Sequence, residues 1–216
     1  MPYYLVVIVI SFIASMISLT IKENRVAPLT FFPLFLLLSV LVEFYGTKLS
    51  EKNVNTLSLY NFFTLFEFIF YLIFFRYIMQ SAQIKKATLI VALLYFFIGA
   101  SNILFYQGKD SFHTYTYMLG SIIIVVFSIL YFNFLFRLPD SGKLTKNPYF
   151  WIVTGLMFFE TCTFTVYGLN NFIAKTMRQY DWVLLFVSDF LNVSLYTLFT
   201  IGFLCKINIR KFLGLS

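Results

Sequence analysis

The chain has 216 residues, of which 60% are hydrophobic, 22% aromatic and 12% charged, with a formal charge of +7 at pH 7 and a mean hydropathy of +0.85. That much apolar surface cannot be buried in a water-soluble domain of this size, so a soluble enzyme or binding module is excluded and a polytopic membrane protein is indicated. One histidine and two cysteines leave little material for metal or redox chemistry.

Seven apolar runs, each near the roughly 20 residues needed to cross about 30 Å of hydrocarbon, predict an all-α, seven-helix transmembrane bundle that fills residues 1–216 as a single domain. The first run, Tyr3–Ile21, has no basic segment before it and is expected to stay as a helix rather than be removed as a signal peptide. The second, Leu29–Thr47, carries the stripe Ser39, Glu43, Thr47. The third, Leu57–Met79, carries Tyr60, Thr64, Glu67 and Tyr71. The fourth, Ala87–Tyr106, aligns Tyr95, Gly99, Asn102 and Tyr106, and the fifth, Thr114–Phe136, aligns Tyr117, Ser121 and Ser128. The sixth, Tyr149–Leu169, holds Glu160, Thr163 and Tyr167. The seventh, Trp182–Cys205, holds Asp189, Asn192, Tyr196 and Thr200. These spacings put each stripe on one helical face, turned inward in a membrane bundle. Serine, threonine and glycine in such stripes are ordinary packing devices; a carboxylate is not.

The segment Asn61-Phe62-Phe63-Thr64-Leu65-Phe66-Glu67-Phe68 resembles one found in small uncharacterised seven-helix integral membrane proteins of bacteria. The resemblance implies a layout and a bacterial inner, or cytoplasmic, membrane location, and it implies no activity.

Assigning Lys and Arg to alternate sides sets Lys22, Arg25, Arg76, Lys85, Lys86, Arg137, Lys143, Lys146, Lys206, Arg210 and Lys211 against Lys48, Lys52, Lys109, Lys175 and Arg178. The first set is expected in the cytoplasm, with the N-terminus outside and the C-terminus inside. Dispersal of these residues over several connectors argues against nucleic acid as a partner and for anionic headgroups of the lipid bilayer. A second regularity suggests duplication: Pro33, Glu43 and Tyr45-Gly46 in the second run parallel Pro148, Glu160 and Tyr167-Gly168 in the sixth, and Glu67-Phe68 parallels Asp189-Phe190. That fits a parallel 3+1+3 pseudo-repeat with the fourth helix as linker.

Glu43, Glu67, Glu160 and Asp189 lie inside apolar runs that have no Lys or Arg near their centres. An ionised acid at the bilayer centre costs about 2.5 to 3.5 kcal/mol. Protonation, a watery cavity or a bound cation would each relieve that cost, and each predicts a polar pocket. By depth the acids run from the midplane outward, with Tyr60, Asn61, Tyr71 and Asn192 able to line the same recess. The alternative is that Glu43 and Asp189 are interfacial and that Glu67 and Glu160 are hydrogen-bond donors to neighbouring helices.

Several chemistries lack their residues. Retinal binding needs a mid-membrane lysine in the last helix, and the nearest is Lys206. Zinc hydrolysis needs imidazoles, but His113 stands alone in an outer loop as an expected satisfied interfacial histidine. No GxSxG or GxGD motif is present, and no cofactor or metal site is expected. The expected role is receptor- or sensor-like binding of a small cationic or polar ligand, with a membrane or cytoplasmic signalling partner carrying the output. The alternatives are a proton- or cation-coupled transporter of small solutes and a structural or assembly subunit.

Overall fold

A computed structural model describes residues 3–21, 24–25, 27–137, 141–176 and 181–206, and these fold into helices α1 (Tyr3–Ser18), α2 (Phe32–Glu51), α3 (Leu57–Ile78), α4 (Ala82–Ser101), α5 (Thr114–Phe136), α6 (Pro148–Thr176) and α7 (Asp181–Leu204). Six of them contain spans long and apolar enough to cross a membrane, and α1 is a shorter apolar helix. Lys22, Arg178, Arg210 and Lys211 of the charge count lie outside the described residues, as do the side chains of Lys143 and Lys175.

Helix boundaries follow local chemistry rather than hydrocarbon length. Helix α1 stops at Ser18, before the expected Ile21. Its last carbonyls are taken by tight turns, and Asn24 Nδ2 donates to Ser18 Oγ at 2.9 Å while Arg25 Nε donates to Leu19 O at 2.7 Å. A 3-10 turn, Leu29–Phe31, leads into α2, where Pro33 sits in the first turn and loses no hydrogen bond. Asn55 Oδ1 accepts from Leu57 N at the start of α3, and Asn147 Oδ1 accepts from Tyr149 N at the start of α6. Helix α4 begins at Ala82, ahead of the expected Ala87, because Lys85 and Lys86 are good helix formers. Arg76 Nη1 donates to Lys85 O at 2.8 Å, tying the end of α3 to that first turn. The fourth run is not a uniform helix: Asn102–Tyr106 is a π-turn. Helix α6 runs past Leu169 to Thr176, since no proline or glycine interrupts that stretch.

The helices pack in chain order as a closed ring, each against the next and α7 against α1, while α3 also reaches α5. Aromatic rings make α3 the pillar. Phe70 stacks on Phe35 of α2 at 4.2 Å, Phe68 meets Tyr95 of α4 and Tyr117 of α5 edge-on, and Phe74 approaches Tyr149 of α6. At the end that bears Arg76, Lys85 and Lys206, Phe32 is fully buried and makes edge contacts with Phe35, Phe70, Phe74, Phe199 and Phe203. Lipid tails are as apolar as these rings, so close packing holds them together, with each aromatic pair adding about 0.5 to 1.5 kcal/mol. The bundle's outside is apolar: Leu93, Leu94, Phe97, Phe105 and Tyr106 are each more than half exposed. Equivalence between the two halves does not extend to packing, because α6 and α7 meet along much of their length whereas α2 and α3 touch far less.

Candidate functional site

Helix α2 presents Glu43 two turns above Phe35 and Leu36, on a face whose inward residues Ser39, Val42 and Gly46 are buried. Its carboxylate Oε2 accepts from Tyr4 of α1 at 2.8 Å and from Tyr60 of α3 at 3.2 Å. Glu67, in the middle of α3, accepts at Oε1 from Tyr71 one turn on, at 2.6 Å. Glu160, midway along α6 and only 2% exposed, accepts at Oε2 from Ser121 of α5 at 2.7 Å. The second oxygens of Glu43 and Glu67 accept no hydrogen bond from the described residues, and the Thr163 hydroxyl stands beside Ser121 as a further partner of Glu160.

These groups are neighbours. Glu67 lies close enough for charge interaction with Glu43 on one side and Glu160 on the other, and the half-buried Asp189 of α7 stands in the same relation to Glu43. By pairwise charge interaction the four acids, on four helices, can be set in a row, Asp189, Glu43, Glu67, Glu160. Tyr71, Tyr95, Tyr117 and Tyr196, all buried, surround its central members. The donors that the acids meet are hydroxyls. Among the described residues one ion pair is formed, Lys48 with Glu51 at 3.8 Å, on the exposed end of α2.

Two of the expected lining residues are used elsewhere. Asn61 is fully buried and faces the α4–α5 connector: its Nδ2 donates to Lys109 O at 3.3 Å and Ser111 O at 2.7 Å, and its Oδ1 accepts from His113 N. Asn192 Nδ2 donates to Ser188 O of its own helix. Tyr60 and Tyr71 contact the acids directly. Sequence reasoning missed Tyr4, because an N-terminal tyrosine is indistinguishable from an interfacial anchor. It placed Ser121 on the inward stripe of the fifth run but treated it as packing.

The connector that Asn61 holds closes one side of the bundle end. Phe112 stacks on Tyr167 of α6 at 5.0 Å and lies against Tyr117 of α5. His113 is fully buried, with Nδ1 2.6 Å from Thr116 Oγ1, but its Nε2 is buried without a partner. The expectation of a satisfied histidine thus holds for one ring nitrogen. Burial pushes this imidazole down to about 4. Asn102, brought inward by the π-turn, donates to Gln107 Oε1 and to the same Thr116 hydroxyl.

Among the described residues, three cavities lie around the bundle. One of about 420 Å3 lies between α4 and α5 beside Asn102 and Thr116, and an aromatic groove of about 290 Å3 runs along the α2–α3 seam from Phe66 to Tyr77, with the stacked Phe35 and Phe70 in its wall. A third, of about 390 Å3, opens between the end of α2 and the start of α3 and has Tyr60 in its wall. Among the described residues no group of three or more His, Cys, Asp or Glu could hold a metal, and Cys162 and Cys205 are free.

By helix length and composition this is a multi-pass membrane protein, all-α, with seven packed helices. No protein-family model, curated protein or solved structure matches the chain.

Proposed function

We propose that the protein binds a small cationic or polar ligand in an acidic pocket within the bundle, reached from the outer face of a bacterial cytoplasmic membrane, in a receptor or sensor role that passes its signal to a membrane or cytoplasmic partner. The observation that carries this is the position of Glu67 between Glu43 and Glu160, with hydroxyl donors alone around them. A bound cation would neutralise part of that row and occupy the unaccepting oxygens. Orientation rests on charge: Arg25, Arg76, Lys85, Lys86, Arg137, Lys146 and Lys206 gather at one end, against Lys48, Lys52 and Lys109 at the other.

The test is ligand-dependent stabilisation. Purified protein in nanodiscs, screened against small amines, alkali cations and neutral polyols, is expected to gain thermal stability with a cationic member, by about 2.7 kcal/mol at a hundredfold excess over the dissociation constant. Glu67→Gln and Glu160→Gln should remove the gain. A second reading, proton- or cation-coupled transport, is favoured by the row itself, since adjacent carboxylates can pass a proton; uptake into proteoliposomes driven by a pH gradient and lost in Glu67→Gln would select it. If neither substitution alters binding, transport or stability, a structural or assembly role replaces both.

A further inference from the structure

The cavity of about 390 Å3 between α2 and α3 is lined by Gly46, Thr47, Ser50, Glu51, Thr56 and Tyr60. Hydroxyls and a carboxylate in its wall distinguish it from the aromatic groove at the other end of the same two helices. Tyr60 belongs both to this wall and to the acid row, because its hydroxyl donates to Glu43. Gly46 makes that position attainable: a β-carbon there would overlap the Tyr60 hydroxyl and stand 2.8 Å from its Cζ. Tyr60 thus separates the cavity from Glu43, held by one hydrogen bond of 3.2 Å, longer than the 2.8 Å bond that Tyr4 gives the same oxygen.

We infer that this cavity takes a small organic ammonium ion, with Glu43 as its counter-ion and Tyr60 as the movable side chain between them. The inference rests on the proposed cation-binding function and names its ligand class and entry point. A metal cation needs six or more oxygen ligands for calcium or near-octahedral order for magnesium, and the described acids do not cluster in that way. An ammonium needs less: one carboxylate, a few acceptors for its three N–H groups and an aromatic face. Glu43 Oε1 accepts nothing from the described residues. Thr47 Oγ1 already donates to Glu43 O at 2.8 Å and so turns its lone pairs outward as an acceptor. The Tyr60 ring supplies the face. The volume falls within the range of sites for small organic ligands. Phe112 and the connector that Asn61 clamps cover the α3–α5–α6 side, and the cavity that shares Tyr60 with the acids opens at the α2–α3 edge.

The test uses the full-length protein in nanodiscs with methylammonium, tetramethylammonium and sodium chlorides at matched ionic strength, read by exchange broadening of the ligand's own proton resonance for the organic ions and by competition for sodium. Methylammonium is expected to bind saturably and to outcompete sodium. Glu43→Gln should weaken it by about tenfold or more, the loss of one charged partner. Tyr60→Phe should change the dissociation constant by less than about threefold while association and dissociation rates rise together, a signature that a merely structural tyrosine would not give. Gly46→Ala should raise both rates in the same way. Equal binding by wild type and Glu43→Gln, equal binding of sodium, or Tyr60→Phe with unchanged rates would each overturn the inference. Methylammonium binding that survives Glu43→Gln but is lost in Glu67→Gln removes this cavity and leaves the central pocket standing. No saturable binding of any of the three ions overturns the cavity assignment, and loss of every ligand in the wider screen overturns the function.

Discussion

Ser121 of α5 donates a 2.7 Å hydrogen bond to the Glu160 carboxylate of α6, and both residues are buried. It joins the two helices at mid-length, and Asn147 Nδ2 donates to Tyr131 of α5 at the start of α6. Ser121→Ala leaves that carboxylate oxygen without its donor, and the expected cost is about 1 to 3 kcal/mol of stability. Thermal unfolding in one detergent should show this, and Ser121→Ala combined with Glu160→Gln should cost less than the two changes summed, because a neutral amide loses less than an ionised carboxylate when its donor is removed.

Asn61 bonds the α4–α5 connector through three contacts, at Lys109 O, Ser111 O and His113 N. Asn61→Ala should release that connector while the helices stay intact. Hydrogen exchange at residues 107–113 is expected to accelerate by at least about tenfold, with exchange in the middle of α3 unchanged. Equal protection in wild type and variant would show that Phe112 alone seats the connector.

Acid sensitivity should carry a mark of His113. The imidazole falls from 6.5 to about 4 on burial, so between those values the unfolded chain binds the proton and the folded one does not. Stability is full above pH 6.5, declines as pH falls towards 4, and the total effect is on the order of 3 kcal/mol. His113→Gln should flatten the unfolding profile across that window, relative to wild type measured beside it.

Gly120 of α5 faces the Tyr95 hydroxyl and the Phe68 ring, which would stand 2.8 Å and 2.9 Å from an added β-carbon. Gly120→Ala should therefore push the α3–α4–α5 contact apart and cost about 1 to 3 kcal/mol. Gly168 has room by comparison, with one contact at 3.4 Å, and Gly168→Ala should be close to neutral in the same unfolding assay.

Orientation can be read by labelling single cysteines in a Cys162→Ser, Cys205→Ser background. Lys52→Cys is expected to react with an impermeant maleimide on intact spheroplasts, and Lys86→Cys only after permeabilisation. The reverse result would place the acid row's α2–α3 opening on the cytoplasmic side.

The helices were legible because hydropathy over about 20 residues is a strong signal, and α5 matches its expected limits, Thr114–Phe136, at both ends. Helix ends were less legible where side chains decide them, as Asn24 and Arg25 do after α1. The π-turn at Asn102 had no sequence mark; Asn102 there donates to Gln107 and to Thr116, fourteen residues on. Among the acids, spacing told which face each occupied but not which neighbour answered it. Tyr71 was readable because it lies one turn from Glu67 on the same helix. Tyr4 and Ser121 were not, because each sits 39 residues from its glutamate.

The ring of phenylalanines about Phe32 fastens α2, α3 and α7 at the basic end, while the far end of α2 and α3 is joined by a hydroxyl contact and an open gap. A bundle fastened so unevenly has a fulcrum. Any parting of α2 from α3 would start at the Tyr60 end, where one hydroxyl contact reaches across, and not among the stacked phenylalanines.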